Sequence, residues 1–211
     1  MQVGDASMTA QGYDAMADLY AEMFTDAYQY PIERQAAAAF AERVTAGGAS
    51  GVVLDVGCGI GHVAADLTRR GLDVIGLEPS APMLAHARRA HPDLTFIDGD
   101  ALLAAVPVEH EIAAILARFS LIHVSPPDVA EALQVWAQRL PEGAPVLIAV
   151  QASDEPGPPI PFDHAVAPAW RWHPDELARV LDVHGFAEEW RIVYRDPGYR
   201  FPMVQLLAHR R

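Results

Sequence analysis

The segment VVLDVGCGIGHVAADL, residues 52–67, places Gly57, Gly59 and Gly61 between a run of strand formers and a helical pattern. Glycines so spaced let a backbone turn sharply and approach a ligand without Cβ clashes. Two neighbours narrow the chemistry. The dinucleotide fingerprint G-x-G-x-x-G/A needs a small residue where His62 stands. Asp55, at the strand end facing the loop, would repel a pyrophosphate resting on a helix N-terminus and suits a cationic ligand. Two more acids end the following apolar runs, Glu78 in VIGLEPS and Asp100 in IDGDA. Further on, ARFSLIHVSPPD carries His123, whose side-chain type titrates near neutrality and fits a general base.

The composition excludes several alternatives. All 15 basic residues are arginine, so a P-loop lysine, a Schiff-base lysine and a lysine general base are ruled out. A net charge of −13 and the lack of a basic stripe disfavour polyphosphate, and no nucleic-acid partner is expected. No apolar run approaches a membrane span, and MQVGDASMTAQGYD lacks the basic start and apolar core of a signal peptide. The single cysteine, Cys58, excludes an internal disulfide and suits a reducing cytoplasm. It reads as small filler in the glycine loop, with no partner ligands at metal-binding spacing, and no metal is expected.

The elements that must position these groups follow from periodicity. Tyr13, Ala17, Tyr20 and Phe24 fall on one helical face, and a second helix begins after Pro31 and ends at Gly47-Gly48. From Gly51, runs of strand length alternate with helical patterns, the signature of a doubly wound parallel sheet covered on both faces. The proline-rich Ser153–Pro168 precludes helix or inner strand and reads as a long loop. After the helix HPDELARVLDVHGF come AEEWRIVYR and RFPMVQLLAHR, separated only by DPGY, which predicts an antiparallel hairpin. The expected division is a helical cap over residues 1–48 and one compact ligand-binding unit over 49–211.

At this point the chain resembles the class I S-adenosylmethionine-dependent methyltransferases. LDVGCGIG looks like their first motif, and RLPEGAPVLIAV is similar to their RLxPGGxLxI, with Gly143-Ala144 replacing Gly-Gly. The likeness covers roughly Gly51–Arg211, and Tyr13–Phe24 resembles the YDxxAxxY opening helix of the small-molecule branch. The resemblance implies a Rossmann-like seven-stranded sheet, mostly parallel, with an antiparallel C-terminal hairpin strand and an N-terminal helical lid. It also implies S-adenosylmethionine as cofactor. Asp55 would lie near the methionine ammonium, with Gly57, Cys58 and Gly59 beneath it. Glu78 would accept from the ribose hydroxyls, flanked by Pro79 and Met83, and Asp100 from the adenine amine, flanked by Gly99 and Ala101. Tyr13, Tyr20, Arg118 and Ser120 complete the implied cofactor set. Both tyrosines are equally readable as core packing, and Arg118 as reaching a substrate anion or pairing with a surface acid.

On the acceptor side, SPPD at Ser125–Asp128 imitates the motif of DNA amino-methyltransferases, but Asp128 replaces the base-stacking aromatic. Ser125 therefore reads as a helix cap. His123 has three open roles: catalytic base, substrate or cofactor positioning, and structural support. Phe119, Phe162, His164 and Trp170 complete the expected substrate surface, with Phe162 and His164 of the proline-rich loop and Trp170 of the nearby WRW read as an acceptor lid. The expected activity is methyl transfer to a hydroxyl or amine of a small molecule, by a cytoplasmic monomer or homodimer. A nicotinamide-dependent oxidoreductase and a non-catalytic regulatory protein that binds S-adenosylmethionine are the competing expectations.

Overall fold

The computed structural model describes residues 6–48 and 50–211, so the expected boundary at Ala49 and the first five residues lie outside the described residues. Helices α1 (Ala6–Met23) and α2 (Pro31–Gly47) precede an alternating series: β1 (Val52–Val56), α3 (His62–Arg69), β2 (Val74–Glu78), α4 (Ala81–Ala90), β3 (Thr95–Asp98) and β4 (Ile112–Arg118). A 3-10 turn at Leu121–His123 leads into α5 (Pro126–Arg139) and β5 (Pro145–Gln151). The chain finishes with β6 (Ile160–Phe162), β7 (Ala169–Arg171), α6 (Pro174–Val183), β8 (Phe186–Tyr194) and β9 (Met203–Arg210).

Seven strands form one sheet in the order β3-β2-β1-β4-β5-β9-β8. Neighbours from β3 to β5 run parallel, and β9 is antiparallel to both β5 and β8. The predicted doubly wound sheet with its antiparallel hairpin strand is therefore present. The order reverses between β1 and β4, where an open parallel sheet offers a crevice at its carboxyl ends.

Two apolar layers cover the sheet. Leu54, Ile75, Leu77, Ile115 and Ile148 pack against Leu133 and Trp136 of α5 and Leu177 of α6. On the opposite face Val53, Val74, Leu116, Leu147 and Leu207 pack against Phe40 of α2, Leu67 of α3 and Leu84 of α4. Among the described residues, no helix is long and apolar enough to cross a membrane.

The proline-rich segment differs from the expected long loop. Its Ile160–Phe162 pairs with Ala169–Arg171 as a separate two-stranded antiparallel sheet, with Pro161 opposite Trp170. A two-stranded ribbon is all edge, and an edge is where a strand tolerates proline.

Candidate functional site

Side chains on a strand alternate between faces, and this sets which groups share the crevice. On β1, Val53 and Asp55 share the face covered by α2, α3 and α4; on β2, Val74, Gly76 and Glu78 do. On β4 the same row runs Ala114, Leu116, Arg118, and on β5 it runs Leu147, Ala149, Gln151. Each row is apolar in the core and turns polar at its carboxyl end. The four polar ends line a single cavity of about 410 Å³, within the usual range for small-molecule sites.

The glycine loop is shaped by what approaches it. A Cβ on Gly57, whose φ is 72°, would lie 2.2 Å from Ser120 Cβ. Ser120 is held there by its hydroxyl, which donates to the Val56 carbonyl at 2.6 Å. Cys58 lines the cavity, and its sulfur occupies the space a Cβ on Gly76 would enter. Phe119 has a φ of 54°, a left-handed conformation costing roughly 1–3 kcal/mol in a non-glycine residue. That turn takes the chain from the end of β4 into the short helix carrying His123.

The loop lies between two buried carboxylates. Glu78 is anchored, Oε2 accepting from the Gly59 N–H and Oε1 from the Ser80 N–H, both at 3.0 Å. Asp55 is 2% exposed, and its Oδ2 accepts no hydrogen bond among the described residues. Burial raises Asp55 to about 7, against the pull of Arg118 and with a further push from Glu78. Burial also raises Glu78 to about 7, opposed by the two backbone donors.

Helix α1 closes one side. Ala17 packs on Ile60 and Met83, with Tyr13 and Tyr20 alongside. Asp14 accepts from the Ser80 hydroxyl at 2.6 Å, and Asp18 lies 2.7 Å from His86 Nε2. A Cβ on Gly12 would lie 2.4 Å from the Val166 carbonyl, so the helix backbone rests directly on the segment after β6. Both tyrosines line the cavity, and Tyr20 stacks on Phe24 at 4.3 Å.

Tyr13 also meets His123, its hydroxyl 3.0 Å from Nε2. Nδ1 lies 3.1 Å from the Pro168 carbonyl. A carbonyl only accepts, so Nδ1 carries the proton, and neutral Nε2 accepts from Tyr13. Desolvation first, then the neighbouring His164, lowers His123 to about 4, against the effect of the Pro168 hydrogen bond. His164 is edge-on to it at 4.8 Å between ring centroids.

Several expected site residues lie elsewhere. Pro79, Met83, Phe119, His123 and His164 line the cavity, whereas Gly99, Asp100 and Ala101 do not. Asp100 Oδ1 accepts from its own Leu102 N–H at 2.9 Å, and the Ala101 carbonyl accepts from Trp136 Nε1 at 2.7 Å. Phe162 and Trp170 are also off the wall. Both pack against the core cluster, and Phe162 sits behind His164 and against Phe201. Arg118 pairs with an acid, but a buried one: its Nη2 lies 3.1 Å from Glu33 Oε2, with the two side chains 8% and 3% exposed. A surface partner is geometrically unavailable to a side chain that ends under α2. Ser125 caps α5, accepting from the Asp128 N–H at 3.4 Å.

Sequence reasoning missed Glu33 and Gln151. Each carried a signal. Glu33 extends the buried helical stripe of Ala37, Phe40 and Val44, so it is a charge on an apolar face. Gln151 continues the alternation Leu147, Ala149. Met16, Met23 and Met203 also line the cavity.

The sequence pattern of the methyltransferase-domain family matches residues 53–143. An uncharacterized methyltransferase of Geobacillus kaustophilus is 31% identical over 144 residues, 66% of this chain and 62% of that protein. Trans-aconitate 2-methyltransferase of Afipia carboxidovorans is 35% identical over 104 residues, 48% of this chain and 38% of that protein. The chain thus spans less than two thirds of the length of these curated relatives. Among solved structures, Burkholderia thailandensis 1,6-didemethyltoxoflavin-N1-methyltransferase, with bound 1,6-didemethyltoxoflavin and S-adenosylhomocysteine, superposes with a TM-score of 0.73. It is 19% identical, covering 97% of this chain and 88% of that one. The [4+2]-cyclase SpnF superposes with a TM-score of 0.76 at 17% identity, covering 100% and 99%, so the fold alone does not decide the reaction. By fold, first motif and domain match, the chain is similar to the class I S-adenosylmethionine-dependent methyltransferases.

Proposed function

We propose that the protein transfers the methyl group of S-adenosylmethionine to a hydroxyl or amine of a small-molecule acceptor. The observation that carries this reading is the buried, unpartnered Oδ2 of Asp55 beside Glu78 on the wall of the cavity. Two acids held near neutrality by burial gain most from a ligand that brings positive charge and hydrogen-bond donors. Asp55 would hold the ammonium, and Glu78, already oriented by two backbone donors, would accept from the ribose hydroxyls. Gly57 and Gly59 leave room for the chain of the ligand. When bound, the cofactor supplies an electrophilic methyl on a sulfonium.

The remaining work falls to the acceptor side. Tyr13 and His123 form a proton path. An acceptor hydroxyl gives its proton to the Tyr13 oxygen while Tyr13 passes its own to His123 Nε2, and the Pro168 carbonyl steadies the charged ring through Nδ1–H. This refines the expected base: His123 acts through Tyr13 rather than by touching the acceptor. Methyl transfer is an in-line displacement, so alignment of the reacting atoms contributes much of the rate. The closure of α1 over the cavity serves that alignment and excludes water.

The test is transfer of radiolabelled methyl from S-adenosylmethionine to fractions of a small-molecule extract. The reading expects a labelled low-molecular-weight product that disappears with Asp55→Asn. Binding of S-adenosylmethionine with no product from any fraction would overturn it.

A further inference from the structure

The sheet carries a second polar cluster beside the acids, and it is built differently. Arg118 stands in register with Ala149, and Ala149 with Gln205, so the three form a row across β4, β5 and β9. Gln151 and Met203 form the next row. Glu33 of α2 closes over them: it takes the Arg118 guanidinium at 3.1 Å and the Tyr194 hydroxyl at 2.7 Å. Gln205 Nε2 donates to that same hydroxyl at 3.4 Å.

Despite this network, three atoms are left over. Arg118 Nε, Gln151 Oε1 and Gln205 Oε1 are buried and make no hydrogen bond among the described residues. Arg118 is 8% exposed in its side chain and Gln205 is fully buried. Leaving a buried donor or acceptor unmet costs about 1–3 kcal/mol each, so such groups are normally met by protein, ordered water or a ligand. Arg118 and Gln151 both line the cavity. Strand spacing and rise put their Cα atoms about 8 Å apart on one face, and Ala149 between them has no bulk to fill the gap.

The charge of this corner decides what fits. Arg118 is matched by Glu33, so an anion would gain no uncompensated cation here. Gln205 Oε1 does not line the cavity, so at this corner of its wall the unmet groups are one donor, Arg118 Nε–H, and one acceptor, Gln151 Oε1. A neutral ligand edge with a carbonyl beside an N–H complements both.

We infer that this corner is the recognition site for the methyl acceptor, and that it selects a flat, neutral ring bearing a lactam or imide edge. The inference rests on the methyl-transfer reading above and names its acceptor class. The lactam carbonyl accepts from Arg118 Nε and the N–H donates to Gln151 Oε1. The ring lies against Phe119 and Met203, whose polarisable surfaces suit an aromatic face.

Three probes on one scale of size test it by calorimetry on the full chain, with and without saturating S-adenosylhomocysteine. They are 2-quinolone, which has the edge; 2-methoxyquinoline, which lacks the N–H; and 2-naphthoate, which is an anion. Binding of 2-quinolone at least tenfold tighter than the other two is expected. Gln151→Leu and the near-isosteric Gln151→Met should erase that preference while leaving the affinity for S-adenosylhomocysteine unchanged. Equal binding of all three, no binding of 2-quinolone, preference for 2-naphthoate, or a preference that survives both variants would overturn the inference. Failure of S-adenosylhomocysteine to bind would remove the cofactor reading, and the arm without it would still decide this one.

Discussion

The two ends of the cavity stand on the same face of the same sheet, yet they handle charge in opposite ways. At the β1–β2 end, burial raises Asp55 and Glu78 to about 7; Glu78 pushes Asp55 further up, and the pull of Arg118 on Asp55 does not offset burial. At the β4–β9 end, Arg118 and Glu33 neutralise each other, and only uncharged hydrogen-bonding capacity is left over. The first end is unbalanced and waits for positive charge. The second is balanced and reads shape and polarity. A donor that must always be the same molecule suits the first, and an acceptor that distinguishes one family from another suits the second.

The largest effect should come from the proposed proton path through Tyr13 and His123. Tyr13→Phe removes the relay oxygen and should lower kcat on a hydroxyl acceptor by about 10²–10⁴, with the KM for S-adenosylmethionine changed less than threefold. A loss confined to the donor KM would reassign Tyr13 to cofactor packing.

Breaking the balanced end should chiefly cost stability. Glu33→Gln leaves the Arg118 guanidinium buried without its counter-charge, which typically costs about 3–5 kcal/mol. A melting temperature lower by roughly 6–20 °C is expected for a chain of this size. At the unbalanced end the sign reverses, because Asp55→Asn removes a charge that burial opposes. That variant should melt no lower than wild type at pH 8.

The smallest effect is graded by pH. An unfolded carboxylate releases its proton near pH 4, whereas Asp55 and Glu78 hold theirs to about 7. Between these values the folded protein binds more protons than the unfolded one, so the two acids cost stability as pH rises through that window. A cationic ligand needs the ionised form. Its affinity should therefore rise to about pH 7 and fall by up to tenfold per carboxylate for each unit below. His123, lowered to about 4, stays neutral throughout, so kcat at saturating donor should be flat down to about pH 5. A kcat that titrates near 6.5 would contradict the Tyr13–His123 geometry.

The same contrast explains how much was legible in the sequence. Asp55, Gly57 and Glu78 announce themselves through a local pattern, because one strand, one turn and the next strand hold them. The sheet and its antiparallel last strand followed from element order, which is also local. The balanced end draws on α2, β4, β5, β8 and β9, and no short motif records that Glu33 and Arg118 meet. Asp100 shows the limit of resemblance: two residues past the end of β3, its Oδ1 accepts from its own Leu102 N–H, and the residue is not on the cavity wall. Phe162 and Trp170 were readable as aromatic and loop-borne, yet the ribbon formed by β6 and β7 directs them into the core and leaves His164 on the wall.

The central claim is that two buried carboxylates, one of them with an unpartnered oxygen, recognise a cationic adenosyl donor. Calorimetric titration of S-adenosylmethionine and of NADH into wild type and Asp55→Asn at pH 8 tests it most directly. One site for S-adenosylmethionine, none for NADH, and a loss of about tenfold to a hundredfold in the variant are predicted, from the 1.5–3 kcal/mol of a charge-assisted hydrogen bond. Equal affinity in the two proteins, or a site for NADH that ignores the substitution, would contradict it.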